Sequence, residues 1–266
     1  DYGNSQIGQI WGNGVRTGNQ SSTTDAQDSN SISQNQQAET IQVTQLYLTY
    51  IHEFGQLIVG RAPLHFGLGV THNAGRGLFD HWYDSEDLVG YKVVLGNMWL
   101  MPMVGKVSEG AINRSDDVTD WMVQLQYDNP DRELEMGVFY QVRRAGDQGN
   151  DTPNGTTNTE SEVIGGAGAL TNRSQSTRSL SVYALRETER FRLGLEAGFL
   201  DGDTGVSTAG GEKVSLSGFG IAVEGEYRPE ESPWKLGLKG GMASGDDPES
   251  TQYEGYIFDR NYDVAF

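Results

Sequence analysis

Hydrophobic and polar residues alternate with a period of two along much of this 266-residue chain. In Leu216–Arg228, one parity holds Phe219, Ile221, Val223 and Tyr227, and the other holds Gly218, Gly220, Ala222, Glu224 and Glu226. This pattern is typical of a β-strand whose two faces meet different surroundings. Ten such segments are predicted as strands: Ile41–Ile51, Gly55–Arg61, Gly90–Gly96, Trp99–Val107, Thr119–Asp128, Glu133–Arg144, Arg178–Arg186, Arg192–Leu200, Leu216–Arg228 and Trp234–Ala243.

The connections between these strands alternate between short turns and long polar loops. The short ones are rich in Pro, Asp, Asn and Gly, the residues of reverse turns. Strands of roughly 9–11 residues cross a bilayer at about 45° tilt. Short connections at one end of the strands and long connections at the other predict an antiparallel transmembrane β-barrel, with short periplasmic turns and long external loops. The predicted long loops are Gly12–Thr40, Ala62–Val89, Ser108–Val118, Ala145–Thr177, Asp201–Ser215 and Gly245–Arg260.

The number of strands depends on the two ends of the sequence. Tyr2–Trp11 and Asn261–Phe266 are weaker candidates, and with them the prediction is about twelve strands in one outer-membrane barrel domain spanning residues 1–266. Tyr262, Val264 and Phe266 share a parity, which resembles the terminal aromatic signal of bacterial barrels. The alternative is a last strand cut at half a span within a larger barrel, and the sequence leaves both open.

Composition narrows the class of protein. Apolar residues make up only 36% of the chain, and glycine accounts for 36 of the 266 residues. No apolar run is long enough for a helical membrane span, and the absence of cysteine fits an exported bacterial protein. The net charge of −18 argues against a nucleic-acid partner. We therefore expect a bacterial outer-membrane location in contact with membrane lipid and lipopolysaccharide, with another outer-membrane or periplasmic protein as an open partner class and no cofactor.

Two segments resemble a known family. Gly60–Asp84 ("GRAPLHFGLGVTHNAGRGLFDHWYD") and Gly240–Phe266 ("GGMASGDDPES…YIFDRNYDVAF") are similar to a loop and a strand end of outer-membrane porins of the alginate-export type. The resemblance covers about a fifth of the chain. It implies a single-chain barrel of more than twelve strands, which favours a truncated last strand here. In the alginate exporter an arginine-rich lumen selects a polyanion, whereas the charges on the polar face here are mixed.

Charged residues on the polar parity are the first candidate site. On the strands of a barrel they face a wet lumen, where they select solutes. The alternative is a ladder of salt bridges that fills a closed interior. The predicted lumen-facing residues are Glu135, Arg143, Arg192, Glu196, Glu224, Glu226, Lys235 and Lys239.

The loop Ala62–Val89 is the second candidate site. Its histidines and carboxylates are residue types found in metal and hydrolase sites, but their spacing fits no recognised signature. The sequence leaves open a structural loop, a pore constriction that folds inward, and a catalytic loop; neither catalysis nor a metal is the favoured prediction. The residues assigned to a constriction are Arg61, His65, Arg76, Asp80 and Asp84.

The favoured function is passive diffusion of small or anionic, including saccharide, solutes through a porin-like channel. The alternative is a structural or docking barrel with a filled lumen that binds a protein partner through its loops.

Overall fold

The computed structural model describes residues 45–77, 83–108, 118–145, 171–172, 175–207, 212–247 and 249–262. The described strands are β1 (Leu46–His52), β2 (Gly55–Pro63), β3 (Ser85–Leu95), β4 (Met98–Ser108), β5 (Val118–Asn129), β6 (Leu134–Ala145), β7 (Thr171–Asn172), β8 (Gln175–Glu187), β9 (Phe191–Ser207), β10 (Lys213–Tyr227), β11 (Leu236–Ala243) and β12 (Gln252–Tyr253). A single 3₁₀ turn, Pro130–Arg132, is the helical element in these ranges, and no helix in them is long and apolar enough to cross a membrane.

The strands form one antiparallel meander. Ten long strands follow the order β1-β2-β3-β4-β5-β6-β8-β9-β10-β11, so each pairs with its neighbours along the chain. Of the two short strands, β7 pairs with β9 and β12 pairs in parallel with β10. Within the described residues β1 and β11 are the two edges of the sheet, and no pairing joins them.

The outer face of the sheet is apolar and the inner face carries buried polar residues, which is the reverse of a soluble protein. Trp121, Leu195 and Phe199 lie on the outer face and remain 55%, 42% and 49% exposed. On the inner face, Gln124 and Glu196 are buried. Large apolar side chains on an outer surface with polar side chains inside are the pattern of a sheet surrounded by lipid. The sheet is therefore the wall of a transmembrane β-barrel of the outer-membrane kind, as the alternation predicted.

The connections follow the predicted plan of short turns at one end and long loops at the other, but several strands extend into the predicted long loops. Five turns, at 53–54, 96–97, 130–133, 188–190 and 228–235, lie at the short-turn end. At the opposite end, however, β9 and β10 pair out to Ser207 and Lys213, so most of the predicted loop Asp201–Ser215 is strand. These extensions are rich in Gly, Asp and Ser, and their lack of apolar alternation concealed them.

The inner face is covered by two segments of the chain that fold inward. The first, 64–77, follows β2 and contacts the inner faces of β6, β8, β9 and β10. The second, 254–262, follows β12, and the Asp259 backbone N–H donates to the Val70 carbonyl at 2.8 Å. Because one short segment touches so many strands, the sheet must curve around it. We call these the first and second inserted segments.

The predicted terminal strands have different outcomes. Tyr2–Trp11 lies outside the described residues. The prediction of a strand at Asn261–Phe266 is wrong for the described part, since Asn261 is in a turn and Tyr262 is in no strand. Tyr262 is 4% exposed and packs near Val70 and Ala222. Its parity indicated a lipid-facing ring, but the second inserted segment turns this ring into the interior instead.

Glycine makes room for the second inserted segment. A Cβ on Gly220 would lie 2.5 Å from the ring of Tyr256 and 2.6 Å from that of Phe258. A Cβ on Gly237, on the next strand, would meet no atom within 4 Å. At Gly220, a glycine on the inward parity is therefore required because aromatic rings of the second inserted segment pack directly against the wall.

We predict that Gly220→Ala destabilises the barrel by about 1–3 kcal/mol, because the added methyl overpacks the buried ring of Tyr256 and the partly buried ring of Phe258. Gly237→Ala is the matched control and is expected to leave stability unchanged or slightly raised. Equilibrium urea unfolding in lipid vesicles, followed by tryptophan fluorescence, measures both. Equal stabilities of the two variants would contradict the packing described here.

Candidate functional site

The candidate site is the interior space between the inner face of the sheet and the two inserted segments. Its central residue is Glu196, which lies in the middle of β9 and is fully buried. The Glu196 carboxylate accepts hydrogen bonds from the backbone N–H groups of Leu68 at 2.6 Å, Val70 at 3.4 Å and Thr71 at 3.2 Å. It also accepts one from the Thr71 hydroxyl at 3.1 Å. A buried carboxylate is tolerated when several donors satisfy it, so Glu196 fixes the first inserted segment to the wall.

The local sequence explains why this segment presents its backbone to Glu196. Gly67 and Gly69 have φ values of +54° and +85°, a backbone region that glycine adopts without strain. The Gly69 N–H donates to the Phe66 carbonyl at 2.9 Å and closes a tight turn. A Cβ on Gly67 would lie 2.7 Å from the Glu196 carboxylate. The turn therefore needs glycine both for its conformation and for its approach to the wall.

Aromatic packing anchors the start of the same segment. Phe66 is 1% exposed and meets the Tyr183 ring edge-on, with centroids 5.1 Å apart, and the Phe139 ring at 5.6 Å. Such pairs add about 0.5–1.5 kcal/mol beyond the burial of their area. Polar contacts at Glu196 and apolar contacts at Phe66 thus both hold the first inserted segment against the wall.

A second buried charge cluster lies on β5 and β6. Arg143 donates to both oxygens of Asp120, at 2.8 and 2.6 Å, and Gln141 donates to the same carboxylate. All three side chains are buried. A bidentate arginine–carboxylate pair with a further donor is the arrangement that best compensates the loss of hydration. The pair holds neighbouring strands in register under the inserted segments.

A carboxyl pair joins the second inserted segment to the residue before β3, which in turn holds the first inserted segment. Asp84 accepts from the Asn73 backbone N–H at 2.9 Å and lies against Asp259. The pKa of each of these aspartates is raised to about 8; burial is the largest cause for both, and for Asp259 the Asp84 carboxyl is the second cause. Both residues lie outside the membrane-crossing strands. Near neutral pH the pair therefore retains a proton that it shares.

His72 lies beside this pair and faces the wall. Its ring packs on Phe139 with centroids 4.7 Å apart, and its Nδ1 is 3.7 Å from the Asp84 carboxylate. Neither ring nitrogen forms a hydrogen bond with the described residues. Burial lowers the pKa of His72, which favours the neutral ring.

Exposure of the inner face changes along the barrel. Along β5, Met122 and Gln124 are buried, Gln126 is partly exposed and Asp128 is exposed. β6, β9 and β10 show the same trend toward the short-turn end. The interior is thus filled at the long-loop end and wet at the short-turn end.

An ion-pair ladder lines the wet half. Arg192 pairs with Glu224 at 2.7 Å, and Lys239 reaches the other oxygen of Glu224 at 3.4 Å. Lys235 pairs with Glu226 at 2.6 Å. The Lys239 ammonium also lies 3.7 Å from the centre of the Tyr262 ring, which links the ladder to the second inserted segment.

The predicted lumen residues all lie on the inner side but divide into two groups. Arg143 and Glu196 are buried beneath the inserted segments. The partly or fully exposed group consists of Glu135, Arg192, Glu224, Glu226, Lys235 and Lys239. That the second group lines a solute path remains a prediction.

The residues assigned to a constriction lie in different places, and that they narrow a pore remains a prediction. His65 lies in the first inserted segment and is partly buried, and Asp84 at the end of the loop is buried. The assignment of Arg61 is wrong. It lies on the outer face of β2, on the same parity as the exposed Val59, where it forms a bidentate ion pair with Asp87 at 2.9 and 2.8 Å. Arg76 is exposed, and Asp80 lies outside the described residues.

Several interior residues escaped prediction from the sequence. Asp120 lies near the start of β5, where no neighbouring residue signals its burial, and Asp259 was assigned to an external loop. The inward parity of Asp120 and Arg143 on adjacent strands was the available signal for their pairing. Nothing in local sequence placed Asp259 next to Asp84.

The described residues contain no cluster of three or more histidine or acidic side chains arranged to hold a metal ion. What the arrangement can do chemically is hold charges, share a proton and present a polar wall to water.

Fold and interior together define the class as an outer-membrane β-barrel protein. No protein-family model matches the chain, and no curated protein sequence matches it. Among solved structures, the chain is similar to the in-vitro folded, trimeric form of OmpT, an outer membrane protein of Vibrio cholerae. That similarity has 12% identity and a TM-score of 0.36, and covers 82% of this chain and 77% of that chain. A loop L8 deletion mutant of the same protein gives 12% identity and a TM-score of 0.34, covering 76% of this chain and 75% of that chain.

We predict that Glu196→Gln releases the first inserted segment. A carboxamide offers one acceptor oxygen in place of two and directs its own N–H groups at backbone donors, a loss of about 1–3 kcal/mol. With Ala74→Cys as the only thiol in a chain without cysteine, labelling by a water-soluble maleimide should become at least several-fold faster. Glu224→Gln is the control and should leave labelling unchanged. Slow labelling in both variants would contradict the anchoring role.

We predict that the Asp84–Asp259 pair makes stability fall as pH rises from about 4 to 8. In this window the unfolded chain ionises near its ordinary pKa of about 3.9 while the folded pair keeps its proton. His72, with its lowered pKa, acts in the opposite direction below about pH 6.5.

The double variant Asp84→Asn/Asp259→Asn should remove this fall. Its stability relative to the wild type should rise by up to about 1.4 kcal/mol per pH unit between pH 5 and 8. Urea unfolding across pH measures the difference, with the exposed Asp201→Asn as control. Parallel pH profiles for the double variant and the wild type would refute the shared proton.

Proposed function

We propose that this protein is an outer-membrane channel of porin type through which small solutes diffuse passively. The observation that carries the proposal is the graded interior, with a wet, charged half at the short-turn end and a half narrowed by the inserted segments. A structural barrel has no need for charged side chains along a solvated inner wall. A channel uses them to select solutes.

The ladder suggests how solutes would be selected. Glu224 and Glu226 alternate with Arg192, Lys235 and Lys239 over a short stretch of wall. Rows of opposite charge favour solutes that carry both polar and charged groups rather than one strong charge. Small anionic or saccharide solutes fit such a wall. A channel that selects a polyanion such as alginate needs a cationic lumen, and this wall carries both signs of charge. The alginate-export resemblance therefore supports a channel but not alginate as its solute.

The inserted segments would set the size limit. The first is fixed by Glu196 and the second by the Asp84–Asp259 pair, so both are attached to a rigid wall. In this proposal they form the constriction, and the exposed ladder forms a vestibule beneath it. The mechanism requires neither a cofactor nor a catalytic step.

Planar-bilayer recordings test the proposal. We predict stepwise currents from the folded barrel, and opposite shifts in reversal potential from opposite charge changes in the ladder. Glu224→Gln/Glu226→Gln should shift selectivity toward anions, and Lys235→Gln/Lys239→Gln toward cations, because each pair contributes fixed charge to the vestibule. The exposed rim variant Lys213→Gln is the matched control. A folded barrel without current, or with a reversal potential that neither pair changes, would refute the proposal.

A second candidate is a structural or docking barrel with a filled lumen. The dense packing of Phe66 and Thr71 against the wall around Glu196 favours it. It predicts an electrically silent barrel that is recovered with a stoichiometric protein partner in mild detergent. Stepwise current without such a complex would exclude it.

A further inference from the structure

The outer face of the barrel carries an apolar hollow at the short-turn end. It measures about 660 Å³ and is lined by Arg186, Phe191, Leu193, Gly225, Tyr227 and Leu238 among others. In the strand register, Arg186 pairs with Leu193, Leu193 with Gly225, and Gly225 with Leu238. All four therefore lie side by side in one row on the lipid-facing parity.

Gly225 creates the hollow. Its neighbours in the row project leucine side chains, with Leu193 59% and Leu238 76% exposed, while Gly225 projects none. A Cβ built at Gly225 meets no atom within 4 Å, so the space above it is open. The Phe191 and Tyr227 rings stack with centroids 4.8 Å apart and close the hollow at the rim. Aromatic rings of this kind mark the interface between acyl chains and headgroups.

Arg186 gives the hollow a charge. The other arginines around it have carboxylate partners: Arg190 pairs with Glu230, Arg192 with Glu224, and Arg228 with Glu226. Arg186 forms no ion pair with any residue that the structure describes, and it is exposed. An unpaired arginine on a lipid-facing strand is costly unless it reaches a polar partner at the interface.

The chemistry of the row identifies that partner. An arginine guanidinium binds phosphate with two parallel hydrogen bonds. The apolar hollow beside it accommodates a hydrocarbon chain. A phospholipid carries a headgroup phosphate and acyl chains in one molecule, and the short-turn end is the periplasmic end of an outer-membrane barrel.

We propose that Arg186 and the hollow over Gly225 form a binding site for one glycerophospholipid of the periplasmic leaflet. The phosphate binds Arg186, and one acyl chain lies over Gly225 between Leu193 and Leu238. The site is on the outside of the wall, so it stands whether or not the lumen conducts.

Native mass spectrometry of the detergent-purified barrel, titrated with dioleoyl-phosphatidylglycerol, tests the site. The wild type should retain one lipid. Arg186→Gln should weaken its apparent affinity about tenfold, the loss of one charge-assisted interaction. Gly225→Leu should weaken it similarly by filling the hollow, since a Cβ at this position meets no atom within 4 Å and leaves the side chain facing lipid.

Arg178→Gln is the matched control, because Arg178 lies on the same strand and parity at the opposite rim and already faces Asp201 at 4.0 Å. Dioleoylglycerol, which lacks the phosphate, should bind at least several-fold more weakly than the phospholipid, and excess inorganic phosphate should not displace the bound lipid. Equal binding by Arg186→Gln and Arg178→Gln, full binding by Gly225→Leu, or equal retention of dioleoylglycerol would each overturn the proposal. Unchanged heat-modifiable gel mobility establishes that each variant is folded.

Discussion

The interior depends on one buried carboxylate. Glu196 is a charged residue in the middle of a membrane-crossing strand, and such a position is unfavourable unless donors surround it. The first inserted segment supplies them from the backbone at 68, 70 and 71 and from the Thr71 hydroxyl. The dependence is mutual, because without Glu196 those N–H groups would themselves be buried and unsatisfied. Wall and segment therefore require each other.

The barrel meets lipid outside and a mixed environment inside. Its outer face exposes large apolar side chains, such as Leu195 and Val223 on adjacent strands. The inner face has buried contacts at one end and solvated ion pairs at the other. An ordinary structural core would pack the whole interior, and an open pore would leave it wet throughout. This interior does neither, and the two halves suit a constriction above a vestibule.

The wall was predictable from sequence because alternation directly reports which face a residue occupies. Phe219, Val223 and Glu224 were assigned to their faces from parity alone, and the structure places them there. The prediction began β3 at Gly90, whereas the strand begins at Ser85. Glu86 and Asp87 place a charged residue on each face of the strand there, so this part shows no alternation of apolar and polar residues. Polar residues near the rim carry too little contrast for the pattern to reveal them.

The candidate site was predictable only in outline. The loop after β2 was a candidate for folding inward, and His65 and Asp84 were among its assigned residues. The partners were not accessible, because Leu68 and Glu196 are 128 positions apart and Asp84 and Asp259 are further still. Local patterns contain no information on such pairs. Arg61 was assigned to the constriction although it is the last residue of the predicted strand, where it shares the outward parity of Val59.

An engineered disulfide tests the central claim that the first inserted segment is held against the inner wall beside Glu196. The Thr71 and Ser181 hydroxyl oxygens are 2.7 Å apart, and the chain contains no cysteine of its own. In the membrane-embedded Thr71→Cys/Ser181→Cys variant, mild oxidation should form the bond in nearly all molecules, detected by mass spectrometry and protection from alkylation. Thr71→Cys/Ser217→Cys, with the second cysteine on the lipid-facing parity of β10, should form none. If both cysteines of the first variant remain alkylatable under oxidising conditions, the segment does not lie where this account places it.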